Sequence, residues 1–295
     1  GTPVDNDWTK RGRLAAKWFG GRRDPAASVA YEYVRDGRIA ARTANGVRQE
    51  YGYDARGRLI SVREGGEEVE RYAYDRAGNV LRKTVRGRTT TFAFDAANQL
   101  VSSECGGVRT EYAYDAAGRL VREGDRTYRY GYLDKVLAVT EGNRTFAYAY
   151  HPDGQLARAD YGGGRTEDFE WDGLALVRRG GEQLLNEPHT GGGSPVLSSS
   201  GTAYFGDILG TTLGRRERGR KYAAARQTAF GEGDAAYFTG KPAVAGLGRA
   251  FLLRNYRPDL AKWATADPLG YPDGWNSLAY CWNVPTFFVD YCGGK

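Results

Sequence analysis

One short pattern returns along this chain and limits what the chain can fold into. It reads "QEYGYDARGRLIS" from Gln49 to Ser61, "ERYAYDRAGNVLR" from Glu70 to Arg82 and "EYAYDAAGRLVRE" from Glu111 to Glu123. The common element is aromatic-x-aromatic-Asp-x-x-Gly-Arg-Leu. Its second aromatic falls at Trp8, Tyr33, Tyr53, Tyr74, Phe94, Tyr114, Tyr132, Tyr150 and Trp171, mostly 18 to 21 residues apart. A period of that size, kept over more than half the chain, marks stacked supersecondary units.

Each position has a mechanical reason. Residues two apart on a strand share a face, so Tyr51 and Tyr53 are expected to pack on Tyr72 and Tyr74 of the next unit as an internal ladder of rings. Asp54, Asp75, Asp95 and Asp115 open turns by offering a carboxylate to backbone N–H groups. Gly57, Gly78 and Gly118 supply the positive φ that closes a bulged hairpin, and Asn98, the other residue at ease in the left-handed region, stands in for glycine once. Around "YGYLDKVL" the turn position falls on Val136, so that hairpin must close differently. The secondary structure is therefore short antiparallel strands and tight turns to about Gly181. A long loop follows from Asn186 to Gly201, with one short strand at Pro195 to Leu197.

Composition agrees with a turn-rich β-protein. The 295 residues include 42 glycines and 10 prolines, and no apolar run is long enough for a membrane helix. The net charge of +6 is spread among alternating signs, as in "VREGGEEVERYAYDR", which reads as a solvated sheet face and not a nucleic-acid groove. Cys105, Cys281 and Cys292 are too few for a disulfide framework and read as three thiols, with a Cys281–Cys292 bridge as the alternative. His151 and His189 lie in turn-like sequence without metal-ligand spacing, and the glycine-rich stretches lack the lysine of a phosphate loop, so no cofactor is implied.

The units resemble the YD repeats of the Rhs/YD-repeat family, which includes bacterial polymorphic toxins, the cage-forming components of Tc toxins and the teneurins. The resemblance extends through "YFGDILGTT" at Tyr204, "TAFGE" at Thr228 and the run from Asn255 to Asp290, which is similar to the Rhs-associated core. It implies an all-β fold in which spiralling antiparallel hairpins form a partial hollow shell, closed at its C-terminal end by the core as a plug. The corresponding division is a shell at 1–185, a Gly/Ser-rich loop at 186–203 and a core at 204–295.

The function implied is a non-catalytic, secreted or surface shell of bacterial type that encapsulates, displays or assembles polypeptide. Its partners would be a C-terminal cargo or further copies of itself. An adhesion module that binds glycan or protein through exposed rings is the alternative. A third reading comes from self-cleaving family members, which use two Asp-Pro-x-Gly aspartates. The first motif stands here as "DPLG" with Asp267, and the second aligns with "DYCG" and Asp290, where Tyr291 replaces proline. The expectation from that departure is that Tyr291 displaces the second carboxylate. The core then serves as a packed plug in which Trp263, Trp275, Tyr280 and Trp282 bury large surfaces.

Overall fold

The computed structural model describes residues 4–23, 25–188, 190–271 and 274–294. Strand pairs with the next strand in antiparallel register from Val4–Trp8 through to Ala223–Ala224, giving one 23-stranded sheet. The ladder crosses the stretch expected as a loop by way of strand Pro195–Ser198, which joins Glu182–Asn186 to Ala203–Gly206. A 5-stranded sheet follows, made of the short strands Tyr237–Phe238, Lys241–Val244, Gly248–Ala250, Asn255–Arg257 and Lys262–Trp263. The only helical turns among the described residues are the 3-10 turns Tyr132–Asp134 and Cys281–Asn283.

The turn chemistry of the repeat is local. In the unit at Asp54, one carboxylate oxygen accepts from the N–H groups of Arg56 and Arg58, both at 2.9 Å, and Gly57 sits at φ +84°. Asp115 does the same for Ala117 and Arg119, Asp95 for Ala97 and Gln99, and Asp75 for Asn79. Gly78, Asn98 and Gly118 have φ values of +88°, +62° and +76°. The register slips by one residue at the second aromatic, between Gly52 and Tyr53 and again between Ala73 and Tyr74, so these hairpins carry a bulge in the following strand, opposite a ring that keeps the inward phase of its own strand.

That ring fastens one unit to the one before it. The Tyr53 hydroxyl donates to the carbonyl of Ile39 at 2.8 Å, Tyr74 to Leu59 at 2.5 Å, Tyr130 to Leu120 at 2.8 Å and Tyr150 to Val136 at 2.8 Å. The arginine of the preceding unit lies over the ring: Arg38 is 4.7 Å from the centroid of Tyr53, and Arg58 is 4.7 Å from that of Tyr74. Tyr51, Tyr53 and Tyr74 share one core cluster with Tyr72, as the repeat suggests. The arginine of Gly-Arg-Leu, which the sequence pattern left without a role, adds a guanidinium over the ring of the following unit.

The exceptions follow the same logic. Asn79 takes the arginine position ahead of Phe94, which has no hydroxyl, and the cation over Phe94 is supplied from elsewhere by Lys262, 5.0 Å from the centroid. The irregular unit is framed two residues earlier than its sequence suggests. Tyr130, not Tyr132, is the ring opposite the bulge, Lys135 stands over Tyr150 in place of arginine, and Val136 begins the next strand. Leu133 and Asp134 take the positive φ of that turn, and Tyr132 is left exposed.

One face of the sheet is covered by the chain's own later residues. Tyr72 packs on Phe230 with ring centroids 4.8 Å apart, beside Val62, Phe92 and Ala261. Farther along, Val139, Phe146 and Phe169 pack with Tyr237, Val244 and Leu247. At the other end Val29 and Tyr31 meet Phe205 and Leu213. The opposite face carries exposed ion pairs such as Arg71–Glu68 and Arg158–Asp168. Trp263 and Tyr280 are fully buried in an aromatic cluster with Phe238, Phe251 and Tyr256, whereas Trp275 is 86% exposed and Trp282 48% exposed. The latter two follow the last strand, with Trp275 6.2 Å from the Tyr271 ring and Trp282 4.9 Å from that of Phe288.

Removing one rung tests the fastening. Arg58→Met should lower stability by about 1–3 kcal/mol in urea unfolding, because it deletes the stack on Tyr74 together with charge-assisted bonds to Asp54 and the Asp75 carbonyl. In a cycle with Tyr74→Phe the two losses should not add, and simple additivity would show that ring and guanidinium act separately.

Candidate functional site

The aspartates of "DPLG" and "DYCG" come together on a third residue. Arg254 lies between strands Gly248–Ala250 and Asn255–Arg257, and its Nη2 is 2.7 Å from Asp267 Oδ2 and 3.6 Å from Asp290 Oδ2. All three side chains are almost wholly buried. The guanidinium is spread over Trp263, 4.2 Å from the ring centroid, and donates from Nε to the Gly293 carbonyl at 2.5 Å and from Nη1 to the Ser277 carbonyl at 2.7 Å. Asp267 Oδ1 accepts from Leu269 N–H at 2.9 Å. Asp290 Oδ1 accepts from the N–H groups of Cys292, Gly293 and Gly294 at 3.1, 2.7 and 3.3 Å.

Two residue types make this possible. An aspartate is short enough to accept from its own following backbone, so both carboxylates are formed by tight turns. Arginine alone offers a flat fork that can serve several acceptors at once while its face rests on an indole. Burial pulls the Arg254 guanidinium below its ordinary pKa. Nearby, Lys241 is buried with its ammonium on the carbonyls of Leu174 and Gly192, at 2.7 and 2.8 Å, and burial brings its pKa down to about 8. The Cys292 thiol is pushed up by burial and by Asp290.

Tyr291 does not displace the second carboxylate, which corrects the expectation from its replacement of proline. A side chain at Gly192 would meet the Tyr291 ring at 2.7 Å, so this ring lies over the Gly191–Gly192 loop, while the Asp290 carboxylate stays 3.6 Å from Arg254. The Arg–Asp–Asp cluster can do two things. It can anchor the segment from Asp290 to Gly294, and it brings an oxygen of each acid to one guanidinium nitrogen, at 2.7 and 3.6 Å. Among the described residues no group of His, Cys, Asp and Glu could hold a metal; His189 lies outside the described residues, and His151 Nε2 is 3.0 Å from the Phe169 carbonyl.

A second set of polar groups, missed in the sequence, joins the sheet to the later residues. Arg257 meets Glu123 through two bonds of 2.8 and 2.9 Å, Lys83 pairs with Glu232 at 2.7 Å, Arg42 with Asp207 at 3.2 Å and Lys17 with Glu187 at 3.0 Å. Glu70 is buried, takes the Tyr72 hydroxyl at 2.6 Å and the Ala229 N–H at 3.0 Å, and burial raises its pKa to about 7. The signal was present: Lys17, Glu70 and Lys83 occupy the inward phase of their strands, where the alternation calls for apolar residues.

The Teneurin YD-shell family model matches residues 27–169. Over that stretch the chain resembles a YD shell. Solved structures similar to it include a Tc holotoxin pore of Photorhabdus luminescens, with 14% identity and a TM-score of 0.66 over 98% of this chain and 19% of the other. A TcdB2-TccC3 structure without its hypervariable C-terminal region also has 14% identity and a TM-score of 0.66 over the same shares of the two chains. At that identity the likeness establishes the all-β shell fold, and the chain spans about a fifth of the length of those it matches. No curated protein matches it significantly.

The chain should depend strongly on its buried arginine. Arg254→Met leaves Asp267 and Asp290 buried without their shared cation and should destabilise by about 3–5 kcal/mol. A combined Arg254→Met, Asp267→Asn and Asp290→Asn chain should recover part of that loss in thermal unfolding. Equal melting of wild type and the single variant would mean that the cluster is not an anchor.

Proposed function

We propose that this protein is a secreted or cell-surface shell segment whose task is to hold polypeptide against one face of its sheet, without turnover of an external substrate. In this reading residues 1–185 act as the shell and residues 204–295 as a core that plugs its C-terminal end. The observation that carries it is the covered face: rings of the repeats pack on Phe230, Tyr237 and Phe205, and buried ion pairs such as Arg257–Glu123 tie the two parts. The toxin-related relatives of the fold favour a cargo polypeptide as what such a shell retains. The repeat tyrosines argue against a sugar platform, because Tyr31, Tyr72, Tyr112 and Tyr148 are buried.

The test is limited proteolysis followed by mass spectrometry. Residues 204–294 should resist cleavage in the wild type, and Lys83→Met combined with Arg257→Met should expose them while the repeats stay intact. Cleavage of that segment in the wild type as fast as in an unfolded control would overturn the reading.

Convergence of Asp267 and Asp290 on Arg254 favours a second activity, self-cleavage just beyond Asp290. One carboxylate would take a proton from water while the other gives one to the leaving amine. A chain extended past Lys295 should then lose its extension, and Asp267→Asn or Asp290→Asn should keep it whole. Intact mass decides this, and an extension that stays attached to the wild type removes the activity.

A further inference from the structure

The long sheet stops in the interior of the chain, at strand Ala223–Ala224. Among the described residues its one strand neighbour is Thr212–Arg216, with Ala224 opposite Gly214. The Ala225 N–H donates to the Leu213 carbonyl at 2.9 Å, so by antiparallel alternation the N–H and carbonyl of Ala224 point the other way, to an edge that no described strand covers. Both alanines are exposed, and their side chains are too small to screen that backbone. A cleft of about 540 Å³ adjoins the edge, lined by Ala224, Ala225 and Arg226 from this run and by Val47, Val69 and Val85 from the repeats. Charge here departs from the alternation of the repeats. Between Arg215 and Arg226 stand six basic residues and one acidic residue, Glu217. Arg215 and Arg220 share Glu217, at 3.5 and 3.3 Å, whereas Arg218, Lys221 and Arg226 are exposed and make no ion pair among the described residues.

We propose that this edge and its cleft seat an extended, acidic segment of polypeptide, added as a strand beside Ala224. Its backbone pairs with the Ala224 N–H and carbonyl, its apolar side chains enter the cleft against Val47, Val69 and Val85, and its carboxylates meet Lys221 and Arg226. A strand in which acidic and apolar residues alternate satisfies the open backbone, the cleft and the surplus charge together. A second copy using the same edge would set basic residues against basic residues. Nucleic acid would answer the charge but leave the backbone edge unused. Tyr222, the aromatic residue of the run, is half-buried with its hydroxyl 3.3 Å from Asn45 Nδ2 instead of standing free to stack on a base. This seat rests on the reading of the chain as a shell, and it gives the held polypeptide a chemistry.

The test titrates the whole chain into a fluorescein-labelled peptide of alternating glutamate and valine and follows anisotropy. Saturable binding is expected, weakened about tenfold or more by the pair Lys221→Glu and Arg226→Glu in the protein. A proline at the centre of the peptide should weaken it as much, because it removes a backbone donor and keeps every charge. Ala224→Pro should act alike, since the N–H it deletes is the outward one. The proline peptide leaves the protein untouched, so its result holds even where a variant melts early. No binding of the acidic peptide, equal binding of its proline form, or equal binding of a lysine–valine peptide overturns the proposal. Tighter binding of a single-stranded oligonucleotide, indifferent to Ala224→Pro, would also overturn it, by giving the surface to nucleic acid. If residues 204–294 resist proteolysis while the acidic peptide fails to bind, the seat falls and the shell stands.

Discussion

The structure depends on a hydroxyl that reaches across a strand pair to a carbonyl, under the flat face of an arginine. The Tyr74 hydroxyl on the Leu59 carbonyl, with Arg58 over the ring, fixes register, twist and spacing at once. A slip of one residue would move the ring to the solvated face and leave the carbonyl without its donor. Repetition turns a modest interaction into a continuous spine. A single neutral hydrogen bond contributes about 0.5–1.5 kcal/mol net, but every unit braces two neighbours, so no hairpin depends on itself alone.

Much of this was legible in the sequence, because a repeat displays its rules by its own exceptions. Asn98 in place of glycine marked a backbone requirement, and its φ of +62° is that requirement met. The strands, the bulged turns and the convergence of buried rings follow from period and pleat. What stayed hidden depended on distant partners. The arginine of Gly-Arg-Leu looked like a surface charge because the ring it covers lies in the following unit. The cation for Phe94 comes from Lys262, far along the chain, and no local pattern announces it. Tyr132 was placed in the wrong frame because spacing alone cannot tell a bulged ring from an exposed one two residues later.

The acid pair shows the limit of motif reading from another side. Replacement of proline by Tyr291 suggested a displaced carboxylate, yet the position of Asp290 is set by three backbone N–H groups and by Arg254, none of which involves the side chain at 291. Trp275 and Trp282 erred in the opposite direction. Size made them look like core residues, but a large ring is buried only where other groups cover it, and these two are 86% and 48% exposed.

The long reach of the bonds between sheet and later residues has a consequence for how the molecule is made. Within the repeats nearly every contact joins a strand to its neighbour, so each hairpin can form as soon as it leaves the ribosome. The bonds from Thr286 to Tyr53 and from Asn283 to Gly78 join residues more than 200 positions apart and await a segment made long after the repeats. Until they close, the inward lysines and glutamates stand on an uncovered apolar sheet. Their charge then keeps that waiting surface hydrated and discourages sticking to other nascent chains, and the same side chains become buried pairs only when the correct segment arrives.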